Sequence, residues 1–300
     1  MPQTDVVDMD AHISTLAIVG PGLIGGSVAA ALRDKGHVKQ VLGVGRNQTS
    51  LAKALELGLI DKVVSVEEAA TQADVILLAT PVGATQALLQ QMLPYLRDDT
   101  IITDAGSTKA DVAKVAQEVL GLKAKNFVPG HPIAGSEATG PTAARADLYE
   151  GRVAILTPLE VNSEVVKETV TQLWRSCGAR VLLMGAETHD QVLASVSHVP
   201  HFLSSVFMWQ VASASDSDLR LAVAGSGFRD FTRIAAGSPE VWRDIFLSNR
   251  DAVLHELREV RMAFERAEQA LHEADGPALE EFLERAALAR RLWASRSGLV

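Results

Sequence analysis

Cysteine is almost absent from this chain. Cys177 stands alone among three hundred residues, which excludes an internal disulfide and any metal centre built on several thiolates. It suits a reduced, intracellular chain, and Cys177 itself is expected to be a helix residue without chemistry. Long apolar runs are also lacking: none approaches the ~18 residues that cross a membrane. The segment from Met1 to Ser14 is polar and acidic and has no apolar core of a secretory signal. Basic residues are outnumbered, 28 Lys and Arg against 37 Asp and Glu, for a formal charge of −9. That balance argues against non-specific nucleic-acid binding, which needs cationic surface. Internal repeats and low-complexity stretches are missing. The expectation is a soluble, cytoplasmic protein with a small-molecule partner, and neither nucleic acid nor membrane.

What is there is core-forming sequence. Hydrophobic residues make up 47% of the chain, and its length fits about two domains of ~150 residues each. Ser14–Val19 is a short apolar run leading directly into glycines, the pattern of a buried parallel strand. A helix is expected over Leu23–Asp34, closed by Gly36, then a strand at Val41–Val44 and a helix over Ser50–Leu57 stopped by Gly58. Val75–Thr80 and Thr100–Asp104 are further buried strands, each preceded by a helical pattern. Phe127–Pro129 and Arg152–Leu156 continue the series, followed by a helix at Val165–Ser176 and a strand at Arg180–Met184. Strands alternating with helices predict a parallel, helix-covered sheet.

Beyond Gly185 strand signals vanish. Pro200 interrupts the first helical pattern, because a proline inside a helix breaks or kinks it. Ser238-Pro239 has the form of a cap and first turn, and the helix it opens is expected to reach about Glu273, stopped by Gly276-Pro277. Leu279–Ala294 forms the last helix. The fold class is therefore α/β, a doubly wound parallel sheet of Rossmann type over 1–185, followed by an all-helical domain over 186–300. The long amphipathic pattern after Pro239 carries more apolar surface than one small domain covers, so a homodimer through the helices is expected.

Gly20-Pro21-Gly22-Leu23-Ile24-Gly25 lies between the first strand and the first helix, the context that a dinucleotide fingerprint requires. Gly20 permits the tight turn, Gly22 lets backbone approach a pyrophosphate, and Gly25 allows close helix–strand packing. Leu23 and Ile24 open a helix whose N-terminus faces the phosphates. Thr80 and Pro81, after the Val75–Thr80 strand, are assigned to the same site. The second strand ends in Gly43-Val44-Gly45-Arg46. NAD sites usually place a carboxylate there for the ribose hydroxyl. Gly45 removes that repulsion and Arg46 offers a planar fork to a 2′-phosphate, so NADP is expected over NAD.

A second segment, Gly130-His131-Pro132-Ile133-Ala134-Gly135-Ser136-Glu137, places an imidazole in a glycine- and proline-bounded turn with a carboxylate six residues on. A hydride acceptor beside a titratable imidazole suggests an oxidoreductase that removes a proton and a hydride together. His198 and His201 sit at i,i+3, but no further ligand set accompanies them and no metal is assigned. His189 and His198 are expected to be satisfied helix residues.

Together with Asp104-Ala105-Gly106-Ser107-Thr108-Lys109, Ser197-His198-Val199-Pro200-His201 and Phe228-Arg229-Asp230-Phe231-Thr232-Arg233-Ile234-Ala235, these motifs resemble the prephenate/arogenate dehydrogenase family of tyrosine biosynthesis. The resemblance runs from about Leu16 to about Asn249. It implies oxidative decarboxylation of prephenate, arogenate or both. By resemblance His131 is the base at the substrate hydroxyl, and Ser107 hydrogen-bonds near that hydroxyl and the cofactor. Arg233 matches a substrate-binding arginine and His201 a histidine near the substrate. Asp230 and Trp242 match an ionic and gating network around the pocket. Glu137 has two readings, an ion pair that holds Arg233 or a partner for the ammonium of arogenate. Two alternatives stay open: another two-domain dehydrogenase or reductase acting on a hydroxy acid or imine, and a non-catalytic NADP-binding sensor. Neither calls for a histidine at 131.

Overall fold

The computed structural model describes residues 13–135 and 138–297. Its first part alternates strand and helix: β1 (Ile13–Val19), α1 (Leu23–Asp34), β2 (Val38–Val44), α2 (Gln48–Glu56), β3 (Lys62–Val63), α3 (Val66–Gln72), β4 (Val75–Leu78), α4 (Thr85–Met92), β5 (Ile101–Asp104), α5 (Ala110–Leu120) and β6 (Phe127–Val128). All five pairings are parallel, in the order β3-β2-β1-β4-β5-β6. This is the doubly wound order in which the chain reverses direction between β1 and β4, opening a crevice beyond their carboxyl ends. Both faces are covered, so the strands run as continuous apolar stretches rather than alternating. Leu16 and Ile18 pack with Val28 and Leu32 of α1 on one face; Ala17 and Val19 pack with Leu89, Met92 and Val112 on the other.

The strands that follow do not extend this sheet. β7 (Gly130–Pro132), β8 (Val153–Leu156) and, after α6 (Glu164–Ser176), β9 (Arg180–Leu183) form a separate three-stranded sheet in the order β7-β8-β9. β7 pairs antiparallel to β8, with His131 opposite Ile155, and β8 pairs parallel to β9. The expected single parallel series is thus corrected, because a short strand read from sequence carries no record of its partner. Trp174 of α6 lies edge-on to Tyr149 beneath this sheet, and the Tyr149 hydroxyl donates to the Ile24 carbonyl at 2.7 Å, joining it to α1. Cys177 is buried at the end of α6, and burial pushes its thiol up to about 12.

The remainder is helical: α7 (Ala186–Leu193), α8 (Val199–Ala212), α9 (Ser217–Ala222), α10 (Ser226–Thr232), α11 (Pro239–Ser248), α12 (Arg250–His272) and α13 (Gly276–Ser297). Between α7 and α8 the residues Ala194–His198 form a π-helical stretch. Pro200 lies just beyond it, and the wider turn relieves the clash that its ring would make with a regular helix. The run Ala186–Ala212 contains an 18-residue window of mean hydropathy 1.2, long and apolar enough to cross a membrane by length and composition. That corrects the expectation of no such run, which Pro200 hides by dividing the pattern. Within it, His189, Asp190, His198 and His201 make hydrogen bonds inside the protein, as described below. Two further differences concern helix ends. The expected helix from Pro239 to Glu273 divides at Asn249, and Gly276-Pro277 begins the last helix instead of ending the previous one. Packing divides the chain into two compact units, 1–250 and 251–300. Strands cease near 185, but helices α7 to α11 belong with the sheet in the first unit.

Candidate active site

The crevice beyond β1 and β4 is shaped by glycine. Gly20 turns with φ +91°, and a Cβ there would lie 2.5 Å from the Ala79 carbonyl oxygen. At Gly25 a Cβ would meet Ile18 Cγ2 at 2.5 Å and the Gly20 carbonyl oxygen at 2.6 Å, so α1 rests directly on β1. Gly22 precedes the first residue of α1, and that helix opens with neither a capping side chain nor an acidic residue in its first turn. The bare N-terminus and close backbone fit the phosphates of a dinucleotide. At the end of β2, a Cβ on Gly45 would approach Leu51 at 3.3 Å. The exposed Arg46 follows, while Asn47 turns back to cap α2 by accepting from the Ser50 amide at 3.0 Å.

Deeper along the crevice, Ile24, Thr80, Pro81, Gly106, Ser107 and Ile245 line a cavity of about 200 Å³. A larger cavity of about 510 Å³ adjoins it at Ser107 and is also lined by His131, His201, Arg233 and Trp242. Five residues named from sequence for catalysis or substrate binding are therefore brought together. Arg145 and Arg152, which sequence reasoning missed, line the same cavity. Asp230 does not join them: it is exposed on α10 beside Arg229, 3.9 Å away. Glu137 lies outside the described residues.

A buried ion pair sets the position of this wall. Lys109, fully buried, donates its ammonium to Asp104 and, at 2.7 Å, to the Gly130 carbonyl. Asp104 in turn accepts from the Gly106 amide at 2.8 Å and the Gly130 amide at 3.0 Å. One pair thus clamps the Ser107 loop against the strand that carries His131. Burial lowers the Lys109 pKa against the opposing pull of Asp104.

His131 Nδ1 lies 2.9 Å from His189 Nε2, and His189 Nδ1 lies 2.7 Å from Asp190 Oδ1. Burial above all, then the neighbouring His189, Lys109 and His198, holds the His131 pKa well below the ordinary imidazole value. His131 is therefore neutral at neutral pH, the form that can accept a proton. His201 donates from Nδ1 to the Ser197 carbonyl at 2.9 Å and stacks on Trp242 with ring centroids 3.6 Å apart. In the neutral ring that leaves Nε2 as an acceptor. Burial also pushes the His198 pKa down, to about 4. The expectation of satisfied helix residues at 189 and 198 is met only in part. His198 Nδ1 accepts from Asn249 at 3.0 Å, whereas Nε2 has no hydrogen-bond partner among the described residues. His189 instead touches His131, 58 residues away. The one signal in sequence is an adjacent His-Asp pair, which says nothing of its neighbour in space. Among the described residues no three His, Cys, Asp or Glu side chains gather as a metal site.

Two domain families match this chain in succession. The nucleotide-binding domain of prephenate dehydrogenase matches residues 28–183, and its dimerization domain matches residues 185–285. The chain belongs to the prephenate dehydrogenase family. Among its relatives, the prephenate dehydrogenase of Lactococcus lactis is 33% identical over 90% of this chain and 74% of its own length. The cyclohexadienyl dehydrogenase of Zymomonas mobilis is 35% identical over 92% of this chain and 94% of its own. The crystal structure of Aquifex aeolicus prephenate dehydrogenase with hydroxyphenyl propionate and NAD+ superposes with a TM-score of 0.87 at 33% identity, covering 93% of this chain and 98% of that one. That structure thus shares the fold described here.

Proposed function

We propose that this family member is a dehydrogenase that oxidatively decarboxylates prephenate, arogenate or both, with NADP preferred to NAD. The observation that carries this reading is the position of Ser107 on the wall of both cavities, one at the dinucleotide crevice and one holding His131 and Arg233. Hydride and proton can therefore leave adjacent atoms of one substrate. The names of the relatives support the substrate class, and the NAD+ held by the Aquifex protein supports a nicotinamide cofactor.

The substrate is a cyclohexadienyl acid with a hydroxyl and a hydrogen on one ring carbon and a carboxylate opposite. Bound nicotinamide supplies the acceptor for the hydride that leaves that carbon. His131 accepts the hydroxyl proton while the carbon–oxygen bond gains double-bond character. The bond to the carboxylate then breaks, its electron pair enters the ring, and carbon dioxide leaves. His131 returns its proton to the phenolate oxygen, so no net proton is released. Ser107 and His201 Nε2 are placed to hydrogen-bond the substrate, and the guanidinium of Arg233 grips a carboxylate. Arg145 and Arg152 add positive charge to the same wall, which suits a substrate with two carboxylates. The absence of a carboxylate at Gly45 and the exposed Arg46 beside it support NADP.

A homodimer is part of this reading. The dimerization-domain match supports it. So do the large apolar side chains that each unit leaves in water, Trp209, Leu219 and Val223 in the first and Phe264, Leu271 and Leu283 in the second, all more than half exposed.

The test is a spectrophotometric assay of prephenate and arogenate, each with NAD and NADP. Turnover of neither substrate sinks the reading. His131→Asn should bind cofactor normally but lose kcat by about 10²–10⁴-fold, the size of a general-base effect. A mutant with near-normal kcat would remove His131 from the mechanism.

A further inference from the structure

Behind His131, on the side away from the cavity, lies a chain of buried groups that the reaction does not touch. His189 is fully buried, and Asp190 and Asn249 nearly so. The Asp190 carboxylate is held from several directions. The amides of Lys109 and Ala110, at the start of α5, donate to Oδ1 at 2.8 Å and to Oδ2 at 2.9 Å. No side chain within α5 caps that end, so Asp190 supplies from another helix the acceptor that the free amides need. The positive end of the helix dipole lies against the carboxylate. Asn249 donates to the Asp190 carbonyl at 2.7 Å and fixes the backbone as well.

The donor–acceptor sequence then follows step by step. An ionised carboxylate only accepts hydrogen bonds, so the nitrogen facing Asp190 Oδ1, His189 Nδ1, carries the proton. In the neutral ring His189 Nε2 is then an acceptor. It faces His131 Nδ1, which must therefore carry a proton. What is left to His131 is a lone pair on Nε2. We propose that His189 and Asp190 are positioning residues that fix the tautomer of His131, so that Nε2 is the atom that takes the substrate proton. When it does, the imidazolium keeps its Nδ1–H bond to His189 and faces the Asp190 charge beyond. Asp190 takes no proton itself. The other charged or titratable groups around His131 are Lys109 with Asp104, His198 from the π-helical stretch, and His201, Arg145, Arg152 and Arg233 on the cavity wall.

The tautomer can be read without substrate or cofactor. Long-range proton–nitrogen correlation on histidine-labelled protein, with the His131 signals assigned by their loss in His131→Asn, should show Nδ1 protonated and Nε2 bare at mildly alkaline pH. His189→Leu, which offers no acceptor, should move His131 toward the Nε2–H form and lower kcat by about 10²–10⁴-fold. The precedent is the loss seen when a carboxylate that orients a catalytic histidine is replaced by an amide. KM should change little, because His189 does not line the cavity. His189→Gln places an amide oxygen near the lost Nε2 and should recover most of the rate. Asp190→Asn should shift the acid limb of kcat/KM to lower pH, since an opposite charge that favours imidazolium is gone. A wild-type His131 with the proton on Nε2 overturns the proposal, as does a His189→Leu protein with tautomer and kcat both unchanged. Should His189→Leu not fold, the wild-type spectrum and His189→Gln decide. The kinetic arm rests on the dehydrogenase reading above. If that reading fails, no substrate turns over, yet the spectrum still shows which nitrogen of His131 holds the proton.

Discussion

Arg233 and His131 share a cavity but cannot share a role. A guanidinium stays charged at any accessible pH and so cannot serve as a base. The substrate carboxylate proposed for Arg233 is present in both ground and transition states, so losing that contact should raise KM far more than it lowers kcat. Arg233→Gln is expected to cost about 2–5 kcal/mol in kcat/KM, with lysine restoring only part because it lacks the bidentate fork. An unchanged KM with a collapsed kcat would instead place Arg233 at the reacting carbon. Arg46→Ala should erode the proposed preference for NADP by about 1.5–3 kcal/mol, the worth of a hydrogen bond to a charged group. Comparable kcat/KM for the two cofactors in the unmodified enzyme would contradict that assignment. At this scale the residues legible in sequence are those in recognisable local motifs, such as His131 in Gly130–Gly135, expected in a turn but found in strand β7, and Ser107 in Asp104–Lys109. His189, Asp190, Arg145 and Arg152 are not among them, because tertiary packing alone brings the two arginines to the cavity and the His189–Asp190 pair to His131.

At the scale of elements, Gly25 lets α1 lie against Ile18 of β1 with no side chain of its own in the way. Gly25→Ala would drive a methyl group into Ile18 and the Gly20 carbonyl. The helix must retreat, which is expected to cost about 1–3 kcal/mol of stability and to loosen cofactor binding, since the same shift moves the phosphate-facing end. Denaturant unfolding and cofactor titration check both. If stability and affinity are both unchanged, the close contact is not what holds the crevice. The positions of most strands and helices, β3, β7 and α5 excepted, are legible, because apolar runs and glycine stops are local signals. Pairing is not. Nothing within Gly130–Pro132 or Val153–Leu156 says that these strands form their own sheet, nor does the continuous helical pattern after Pro239 reveal the break at Asn249. That residue's side chain is engaged with Asp190 and His198, which only the folded chain brings near.

For the whole molecule, buried histidines link stability to pH. The folded-state pKa of His198 is about 4, below the ~6.5 of an unfolded chain. Between these values the unfolded state binds more protons, so stability rises with pH there and is lost as pH falls below about 6.5. The loss from His198 alone should approach 3 kcal/mol near pH 4, on the order of 1.4 kcal/mol per pKa unit. His131, shifted in the same direction, adds to it. Urea unfolding across this range should show the decline, and His198→Asn should flatten part of it. A stability that stays level from neutrality to about pH 4 would mean that these rings are not buried in neutral form.

The pair Lys109–Asp104 also bears on how this sequence can change over time. Removing either partner strands a buried charge, at a cost of about 3–5 kcal/mol. That is a large share of the ~5–15 kcal/mol that keeps a domain folded. Replacing both at once by apolar residues carries no such penalty, though it gives up the clamp on the Gly130 strand. Drift through single substitutions is therefore blocked at both positions, and descendants should keep the two charges together or lose them together. An alignment of relatives should show the two sites covarying, with half-pairs rare.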